Sequence, residues 1–482
     1  MLSKDDVETI HGAAAKVLEE IGFKVHNNEA LEILKEADVQ VDFDKKITNI
    51  PRPLVEKTLA GTTSTFKLYD REGTRSIDIG GDKVWFGPGT TSINILDHET
   101  GERRHAVSKD CETHAKLVDA IDRMALQCTS LVPSDVPNEV KDWYRLYINI
   151  INSEKPHFTG PFTKEGFYDI KRILEAVAGG KRELAKKPRA YICVETSSPL
   201  RIGEIPCVAL IECSRANIPV EIRFLGGLGS LAPVTLAGSL VQQTAEFLGT
   251  LVIHQLVNPG APVVWCGTPA LFDMKYGTPI LSAIETVMME AAMAQIGRYY
   301  EVPTGVRTLC SSTKVLDAET GMESGIGLTL ALLSGINIIQ GPGQMGNANL
   351  HSLLKLVIDH EICGMAYHLQ KGLRVDEDTL ALDLMKKVGP GGTYFLEKHT
   401  RDWLRKELYL PSEIIDRKTM PQWKRSGSED VVERSKKYLK SVLAEHEPVP
   451  MDADIKKDLD NVVLDIMKRH KIDSMPICPL NS

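Results

Sequence analysis

The chain has 482 residues, of which 43% are hydrophobic and 25% charged, and its formal net charge is −8. Acidic and basic residues are interspersed without a basic block, which excludes the usual nucleic-acid binder and favours a globular enzyme. No apolar run approaches the ~20 residues of a membrane helix. The start, MLSKDDVETIHG, lacks the apolar core of a signal peptide, so we expect a cytoplasmic protein without a membrane partner.

The sequence pattern of residues 1–107 predicts an N-terminal extension of helices and short strands. VETIHGAAAKVLEEIGF and ALEILKEA place apolar residues at helical spacing. STFKLYD, RSIDIGG and KVWFGPG then alternate apolar and polar residues between Gly or acidic turns, which predicts a small β meander.

From residue 108 the chain alternates apolar strands with helical patterns. The candidate strands are residues 126–132, 156–160, 190–196, 219–226, 262–267, 303–310 and 337–341. Apolar strands that alternate with helices indicate a parallel sheet. With one more strand, from KVWFG or GTYFL, they predict an α/β fold of the (β/α)8 TIM-barrel type over residues 108–400. Residues 401–482 predict a C-terminal helical extension.

An open, doubly wound sheet is the alternative fold. Such a sheet is expected to carry a GxGxxG turn after its first strand. GGLGSLAPVTLAG follows the fourth candidate strand instead, and its Pro233 is typical of a helix start. The barrel is therefore the favoured interpretation.

Polar side chains follow the strands at residues 303–310 and 337–341. They are Arg307, Ser311, Ser312, Lys314, Gln344, Asn347, Asn349 and His351. Because parallel strands place ligands at their carboxyl ends, we expect these side chains to form a site. Arg307 suits an anionic substrate group, although a structural ion pair is an equal alternative.

Aromatic side chains near candidate strand ends suggest a second part of this site. They are Trp85, Phe86, Phe224, Trp265, Tyr394 and Phe395. A quaternary ammonium has no N–H to donate, so aromatic faces and carboxylates are what holds it. Core packing is the alternative for each ring. Among the carboxylates Glu195, Asp135 and Glu221, we select Glu195, which ends a strand, as a catalytic residue together with His351.

A metal site is not expected. The run Asp359, His360, Glu361 places neighbours on different faces of a helix. The nine cysteines include no CxxC pair and predict reduced core thiols.

Several long runs resemble the trimethylamine methyltransferase family. They are residues 227–269, 296–305, 303–351, 356–365 and 375–411. The resemblance implies a TIM barrel that transfers a methyl group from a methylated amine to the Co(I) form of a separate corrinoid protein. It therefore implies a cognate corrinoid partner that supplies cobalamin, and no tightly bound cofactor in this chain. We also expect a homo-oligomer.

One departure from the family narrows the substrate. The trimethylamine enzymes carry pyrrolysine near the part of the barrel that corresponds to residues 310–325, whereas this chain has ordinary residues throughout. It thus resembles the non-pyrrolysine branch, which implies a quaternary amine such as glycine betaine, proline betaine, carnitine or γ-butyrobetaine. Such a nitrogen already leaves as a neutral tertiary amine. The other functions left open are a barrel lyase or aldolase using Lys314 or Glu195, and a betaine-binding module without catalysis.

Overall fold

The computed structural model describes residues 1–479. The N-terminal part contains short helices and strands, with a π-helical turn at Val17–Ile21. These elements are α1 (Lys4–Lys16), β1 (Phe23–Val25), α2 (Asn28–Glu36), β2 (Gln40–Asp42), β3 (Ile47–Asn49), α3 (Arg52–Ala60), β4 (Thr65–Tyr69) and β5 (Ser76–Gly80).

The central part alternates strands and helices. Its elements are β6 (Trp85–Phe86), β7 (Asn94–Leu96), β8 (Arg103–His105), α4 (Ser108–Ala120), β9 (Gln127–Cys128), α5 (Lys141–Asn152), β10 (His157–Thr159), α6 (Lys164–Val177), α7 (Lys181–Lys186), β11 (Ala190–Glu195), β12 (Arg201–Ile202), α8 (Glu204–Ala216), β13 (Val220–Phe224), β14 (Gly227–Leu228), α9 (Leu236–Val257), β15 (Val263–Gly267), β16 (Ala270–Asp273), β17 (Thr278–Ile280), α10 (Ile284–Tyr299), β18 (Thr304–Val306), α11 (Ala318–Leu333), β19 (Ile338–Ile339), β20 (Gln344–Met345), β21 (Leu350–Ser352) and α12 (Leu353–Gln370).

The C-terminal part is helical. It consists of α13 (Glu377–Leu380), α14 (Leu382–Val388), α15 (Lys398–Glu407), α16 (Met420–Arg425), α17 (Val431–Glu445) and α18 (Ala453–Arg469).

Eight parallel strands form the barrel. Their order is β6-β19-β18-β15-β13-β11-β10-β9. A parallel bridge between Phe86 and Met124 joins the two edges, and the Ala125 N–H donates to the Phe86 carbonyl at 2.8 Å. The predicted TIM-barrel fold is confirmed. KVWFG supplies the eighth strand, so the barrel begins within the residues that the sequence pattern had placed in the N-terminal extension.

Strand β13 shows why these segments are buried on both faces. Successive side chains of a strand point to opposite faces of the sheet. Val220 and Ile222 join the large apolar core with the surrounding helices, while Glu221 and Arg223 occupy the barrel interior. Both faces of β13 are thus buried, one against the helices and one in the barrel interior, where the two opposite charges pair with each other.

The β4–β5 hairpin covers the amino ends of the strands. Its Leu68 and Ile79 share one apolar cluster with the interior residues Tyr191, Val264 and Ile338. Because this end is filled, access to the interior is through the carboxyl ends of the strands.

The C-terminal extension packs on one side of the barrel through its last two long helices. α17 contacts α4 and α12, and α18 contacts α6. In contrast, α13, α14 and α15 contain no buried residue within the described chain. Among residues 1–479, the helices are each too short or too polar to cross a lipid bilayer.

Candidate active site

A cavity of about 460 Å³ lies at the carboxyl ends of the barrel strands. Side chains that follow β6, β9, β10, β11, β13 and β18 contribute to it, as expected for a parallel barrel. Its lining is Thr90, Thr91, Thr129, Phe158, Gly160, Pro161, Phe162, Cys193, Glu195, Thr196, Ser197, Ile205, Pro206, Arg223, Leu225 and Arg307. The predicted residues Arg307 and Glu195 are thus brought together in one cavity.

Arg307 is the deep cationic group of the cavity. It follows β18 directly, and its Nη2 donates to the Thr90 hydroxyl. Within residues 1–479 its Nε is buried without a hydrogen-bond partner, and the guanidinium forms no ion pair. Burial, and then repulsion from the nearby Arg223, lower the pKa of Arg307 from its ordinary value. This partly buried charge is not balanced by a carboxylate in contact with it.

Arg223 is a second guanidinium in the cavity wall, but its charge is balanced. It forms a buried ion pair with Glu221 and donates to Gln340 Oε1 at 2.7 Å. Its guanidinium carbon lies 5.2 Å from the centre of the Phe158 ring. Gln340 in turn donates to the Tyr191 hydroxyl at 2.9 Å. This network fixes Arg223, whereas Arg307 retains an unused donor.

Glu195 is the anionic group of the cavity. It is the last residue of β11 and is partly exposed. Its carboxylate makes neither a hydrogen bond nor an ion pair with the part of the chain that the structure describes. The cavity therefore presents an unpaired anion, Glu195, and an unpaired cation, Arg307, whose Nε is buried.

Glu246 of α9 fixes the loop that follows Glu195. Its carboxylate accepts hydrogen bonds from the Thr196 hydroxyl at 2.5 Å, the Ser198 hydroxyl at 2.9 Å and the Leu200 N–H at 2.9 Å. Burial is the main cause of a raised pKa at Glu246. These hydrogen bonds attach the loop that follows Glu195 to α9.

Gln344 lies behind the cavity, not in its lining. It is fully buried, and its Nε2 donates to the Thr90 carbonyl at 2.5 Å. A Cβ atom on Gly89 would lie 2.0 Å from Gln344 Cγ, so only glycine fits there. Gln344 thus supports Thr90, the hydrogen-bond partner of Arg307. The structure thus places Gln344, which the sequence predicted as a substrate-binding residue, outside the lining of the cavity.

The predicted aromatic cage is not assembled. Trp265 is fully buried among the outer helices, where it stacks on Phe247 at 4.6 Å and on Tyr300 at 5.8 Å between ring centres. Phe86 packs against Tyr367 of α12 at 4.7 Å. Successive side chains of a strand point to opposite faces of the sheet, and the rings of Trp265 and Phe86 are on the face that packs against the helices.

The other predicted rings are also outside the cavity. Phe224 is buried beside Gly226, where a Cβ would meet its ring. Trp85 lies at the opposite, amino end of the barrel and donates from Nε1 to the Asp78 carbonyl at 2.7 Å. Tyr394 and Phe395 are 43% and 83% exposed in the C-terminal part. The structure therefore does not bring these four predicted side chains into the lining of the cavity.

His351 is buried away from the cavity. Its ring packs edge to face against His114 of α4, with 4.8 Å between ring centres. Both of its ring nitrogens are without a hydrogen-bond partner among residues 1–479. Burial lowers the pKa of His351 well below its ordinary value and thus favours the neutral imidazole. It is not in position to contact a substrate in the cavity.

The polar loop after β18 is held by a carboxylate of its own. Glu323 of α11 accepts from the hydroxyls of Ser311 at 2.5 Å and Ser312 at 2.6 Å. Lys314 is exposed and donates to the Ser312 carbonyl at 2.8 Å. The loop is thus a supporting structure and not the wall of the cavity.

Two cavity rings were not selected from the sequence. Phe158 and Phe162 line the cavity, and Phe162 is 43% exposed with Arg145 over its ring at 4.3 Å. Arg223 was also missed, although Glu221 and Arg223 are two opposite charges at a spacing of two within a buried strand. Such a spacing places both charges on one face of the strand, which is a signal for the barrel interior.

Comparison with known proteins decides the family. Residues 1–472 match the family model described as Trimethylamine methyltransferase (MTTB). The chain belongs to the trimethylamine methyltransferase family. It is 33% identical over 457 residues to a glycine betaine methyltransferase from Desulfitobacterium hafniense, covering 94% of each chain. It is 30% identical over 461 residues to a trimethylamine methyltransferase from the same species, covering 96% of this chain and 92% of that one.

A solved structure supports the fold. The monomethylamine methyltransferase of Methanosarcina barkeri superposes with a TM-score of 0.52 at 11% identity, covering 97% of this chain and 88% of that one. At this identity the likeness concerns the fold alone. The family membership therefore rests on the sequence matches, and it establishes this chain as a methyltransferase.

Proposed function

We propose that this member of the family demethylates a quaternary amine that carries a carboxylate, and passes the methyl group to the Co(I) of a cognate corrinoid protein. The observation that carries the proposal is the pair of unbalanced charges, Arg307 and Glu195, in one cavity. A betaine is a zwitterion with the complementary pair of charges. A ligand of one sign alone would leave one of these two groups unpaired.

The depth of the charged atoms sets the direction in which the zwitterion enters. Arg307 as a whole is partly exposed, but its Nε is buried and free, and together with its other N–H groups it suits the planar oxygens of a carboxylate. The Glu195 carboxylate is not buried in this way, so the ammonium that it attracts lies closer to the opening. Phe162, at the same opening, offers a ring face to the N-methyl groups.

The opening also suits the approach of a partner protein. Phe162 and Leu225, which line the cavity, expose 43% and 38% of their surface. Apolar rim residues of this kind are compatible with a macromolecule that carries a corrin ring. When bound, a reduced cobalt centre supplies the nucleophile that accepts the methyl group. The residues of this chain bind the zwitterion, orient its N-methyl groups toward the opening and limit the access of water.

The substrate class follows from the leaving group. A quaternary nitrogen leaves as a neutral tertiary amine, and this chain consists of ordinary residues throughout. Positioning is therefore the main contribution that the cavity has to make. The lyase alternative is not favoured, because Lys314 is on the surface and the cavity lining contains no lysine among the described residues.

Calorimetric titration with charge-matched ligands tests the proposal. Glycine betaine carries both charges, choline lacks the carboxylate, and 3,3-dimethylbutanoate has a neutral carbon in place of the nitrogen. We expect glycine betaine, or a larger betaine such as carnitine, to bind at least tenfold more tightly than either single-charge analogue. Equal affinity for a betaine and its two analogues would contradict the proposed charge recognition.

A further inference from the structure

Thr90 lies in the wall of the cavity beside Arg307. It belongs to the loop that follows β6, and it is buried. Its hydroxyl oxygen accepts the hydrogen bond from Arg307 Nη2. A hydroxyl also has one hydrogen to donate, and that hydrogen has no acceptor among residues 1–479. The cavity wall thus holds two neighbouring donors that are not used, the Thr90 hydroxyl and Arg307 Nε.

Gln344 holds both of the loops that carry these donors. Its Nε2 donates to the Thr90 carbonyl at 2.5 Å, and its carbonyl accepts from the Ser311 N–H at 3.0 Å in the loop that follows Arg307. Gln344 is fully buried and lies outside the lining of the cavity. It can therefore affect a bound ligand only through the residues that it holds.

The backbone at Thr91 gives the loop a specific turn. Its φ is +67°, a left-handed conformation that is rare for a β-branched residue. The Thr91 N–H donates to the Thr129 carbonyl at 3.2 Å, and the Ser92 N–H donates to the Ser130 carbonyl at 2.8 Å. Such a conformation persists only where surrounding contacts hold it. The loop is therefore fixed on both sides of Thr90, by Gln344 before the turn and by the chain after β9 beyond it.

We propose that Thr90 donates its hydroxyl hydrogen to the carboxylate of the substrate, beside Arg307, and that Gln344 is the residue that positions Thr90 for this contact. The inference rests on the proposed function, in which Arg307 binds the carboxylate. A carboxylate has lone pairs for both donors. A hydroxyl that accepts from a guanidinium is also a better donor, because linked hydrogen bonds polarise one another.

This contact makes Thr90 a specificity-determining residue. A ligand without a carboxylate leaves the Thr90 hydroxyl and Arg307 Nε unpaired in a site that is built to use them. Sites of this kind discriminate strongly against the analogue that lacks the hydrogen-bonding group. Thr90 should therefore contribute to the choice of a carboxylated amine and not to the binding of the ammonium.

The test compares glycine betaine with tetramethylammonium, which has neither a carboxylate nor a hydroxyl, by calorimetric titration. Thr90→Val removes the hydroxyl at nearly constant size. Its affinity for glycine betaine should fall about tenfold or more, because a hydrogen bond to a charged group is lost. Its affinity for tetramethylammonium should not change. Thr90→Ser keeps the hydroxyl and should retain most of the affinity for glycine betaine.

The matched control is Thr268→Val. Thr268 is a buried threonine that directly follows β15, and it lies outside the lining of the cavity. Its hydroxyl contacts the Cys266 sulfur at 3.8 Å. Its replacement should change the affinity for neither ligand. Should Thr90→Val fail to fold, Thr90→Ala carries the same expectation as Thr90→Val.

Gln344→Met tests the positioning role. It should weaken glycine betaine but not tetramethylammonium, whereas a purely structural role would lower the free energy of unfolding and leave the ratio of the two affinities unchanged. Combined with Thr90→Val it should add little further loss, since both changes act through one hydroxyl. Fully additive losses would overturn the positioning role of Gln344.

Arg307→Lys separates this inference from the proposed function. If Thr90→Val keeps the ratio of the two affinities while Arg307→Lys loses it, the role of Thr90 is overturned and the proposed function stands. If Arg307→Lys also keeps the ratio, the carboxylate is bound elsewhere and both are overturned. Loss of the ratio in Thr90→Val, with recovery in Thr90→Ser, is the result that supports Thr90 as a second donor to the carboxylate.

Discussion

Arg307 and Glu195 bring opposite charges into one cavity, and neither forms an ion pair with another side chain in residues 1–479. By contrast, Glu221 and Arg223 in the same barrel neutralise each other. A buried ion that lacks a partner is costly. The contrast is the reason that we propose Arg307, and not Arg223, as the group that binds the substrate, although both are arginines in the wall of one cavity.

The first prediction concerns Arg307→Lys. Lysine keeps the charge but loses the planar set of donors, so binding of a carboxylate should weaken by about 1.5–3 kcal/mol, or roughly 10- to 150-fold. The measurement is the dissociation constant for glycine betaine and for choline. We expect the loss for the betaine only, because choline has no carboxylate. Arg298→Lys, at the other end of the barrel, serves as a control that should change neither constant.

The second prediction concerns Glu195→Gln, which removes the charge at nearly constant size. Binding of a quaternary ammonium should weaken by about 1–3 kcal/mol, because the cavity wall screens the charge less than water does. The same variant should bind 3,3-dimethylbutanoate as well as the wild type does or better. Glu195→Asp keeps the charge and should recover part of the affinity. If Glu195→Gln leaves the affinity for both betaine and choline intact, the ammonium is held elsewhere.

The third prediction separates a cavity ring from a core ring. Phe162→Ala should weaken ammonium binding by about 0.5–2 kcal/mol with little change in the free energy of unfolding, since Phe162 is at the cavity mouth. Trp265→Ala should do the reverse and lower the free energy of unfolding by about 3–5 kcal/mol. Urea denaturation and calorimetry of both variants check this. A specific binding defect in a stably folded Trp265→Ala would restore Trp265 to the site.

The fourth prediction concerns Glu290 and pH. Glu290 of α10 is buried, and burial raises its pKa from 4.5 to about 8. Below pH 4.5 the group is protonated in both states, while between pH 4.5 and 8 only the folded state holds the proton. The free energy of unfolding should therefore fall as pH rises through this window, by about 1.4 kcal/mol per pH unit.

Glu290→Gln removes this titration at nearly constant shape. We measure the free energy of unfolding of both proteins with urea at pH 5.5, 6.5 and 7.5. As pH rises, the wild type should lose stability relative to the variant. Parallel pH profiles for the two proteins would show that Glu290 is not protonated in the folded state.

The sequence predicted the barrel and two residues of the cavity for the same reason. Residues that end parallel strands meet at one edge of the sheet whatever their neighbours are, so Arg307 and Glu195 are placed by topology alone. The sequence left two candidates, KVWFG and GTYFL, for the remaining barrel strand. KVWFG is identified by its pairing with β19, which the pattern of apolar residues does not reveal.

The aromatic residues could not be placed from the sequence. The face on which Trp265 lies depends on the register of β15, and a shift of one residue reverses it. His351 also follows a predicted strand, yet its ring packs against His114 in space that a side chain on Gly343 would fill. Phe162 was not predicted because it lies two residues beyond the end of the candidate strand 156–160. The Phe162 N–H donates to Asp142 Oδ1 at 2.9 Å, which fixes the loop.

The central claim is that a carboxylated quaternary amine is the methyl donor. The most direct measurement mixes the protein with its reduced corrinoid partner and records the visible spectrum of Co(I) as betaines or trimethylamine are added. We predict conversion to methyl-Co(III) with at least one of glycine betaine, proline betaine, carnitine or γ-butyrobetaine, and none with trimethylamine under the same conditions. Efficient conversion with trimethylamine, or none with any betaine while the corrinoid protein remains competent for methylation by methyl iodide, would contradict the account.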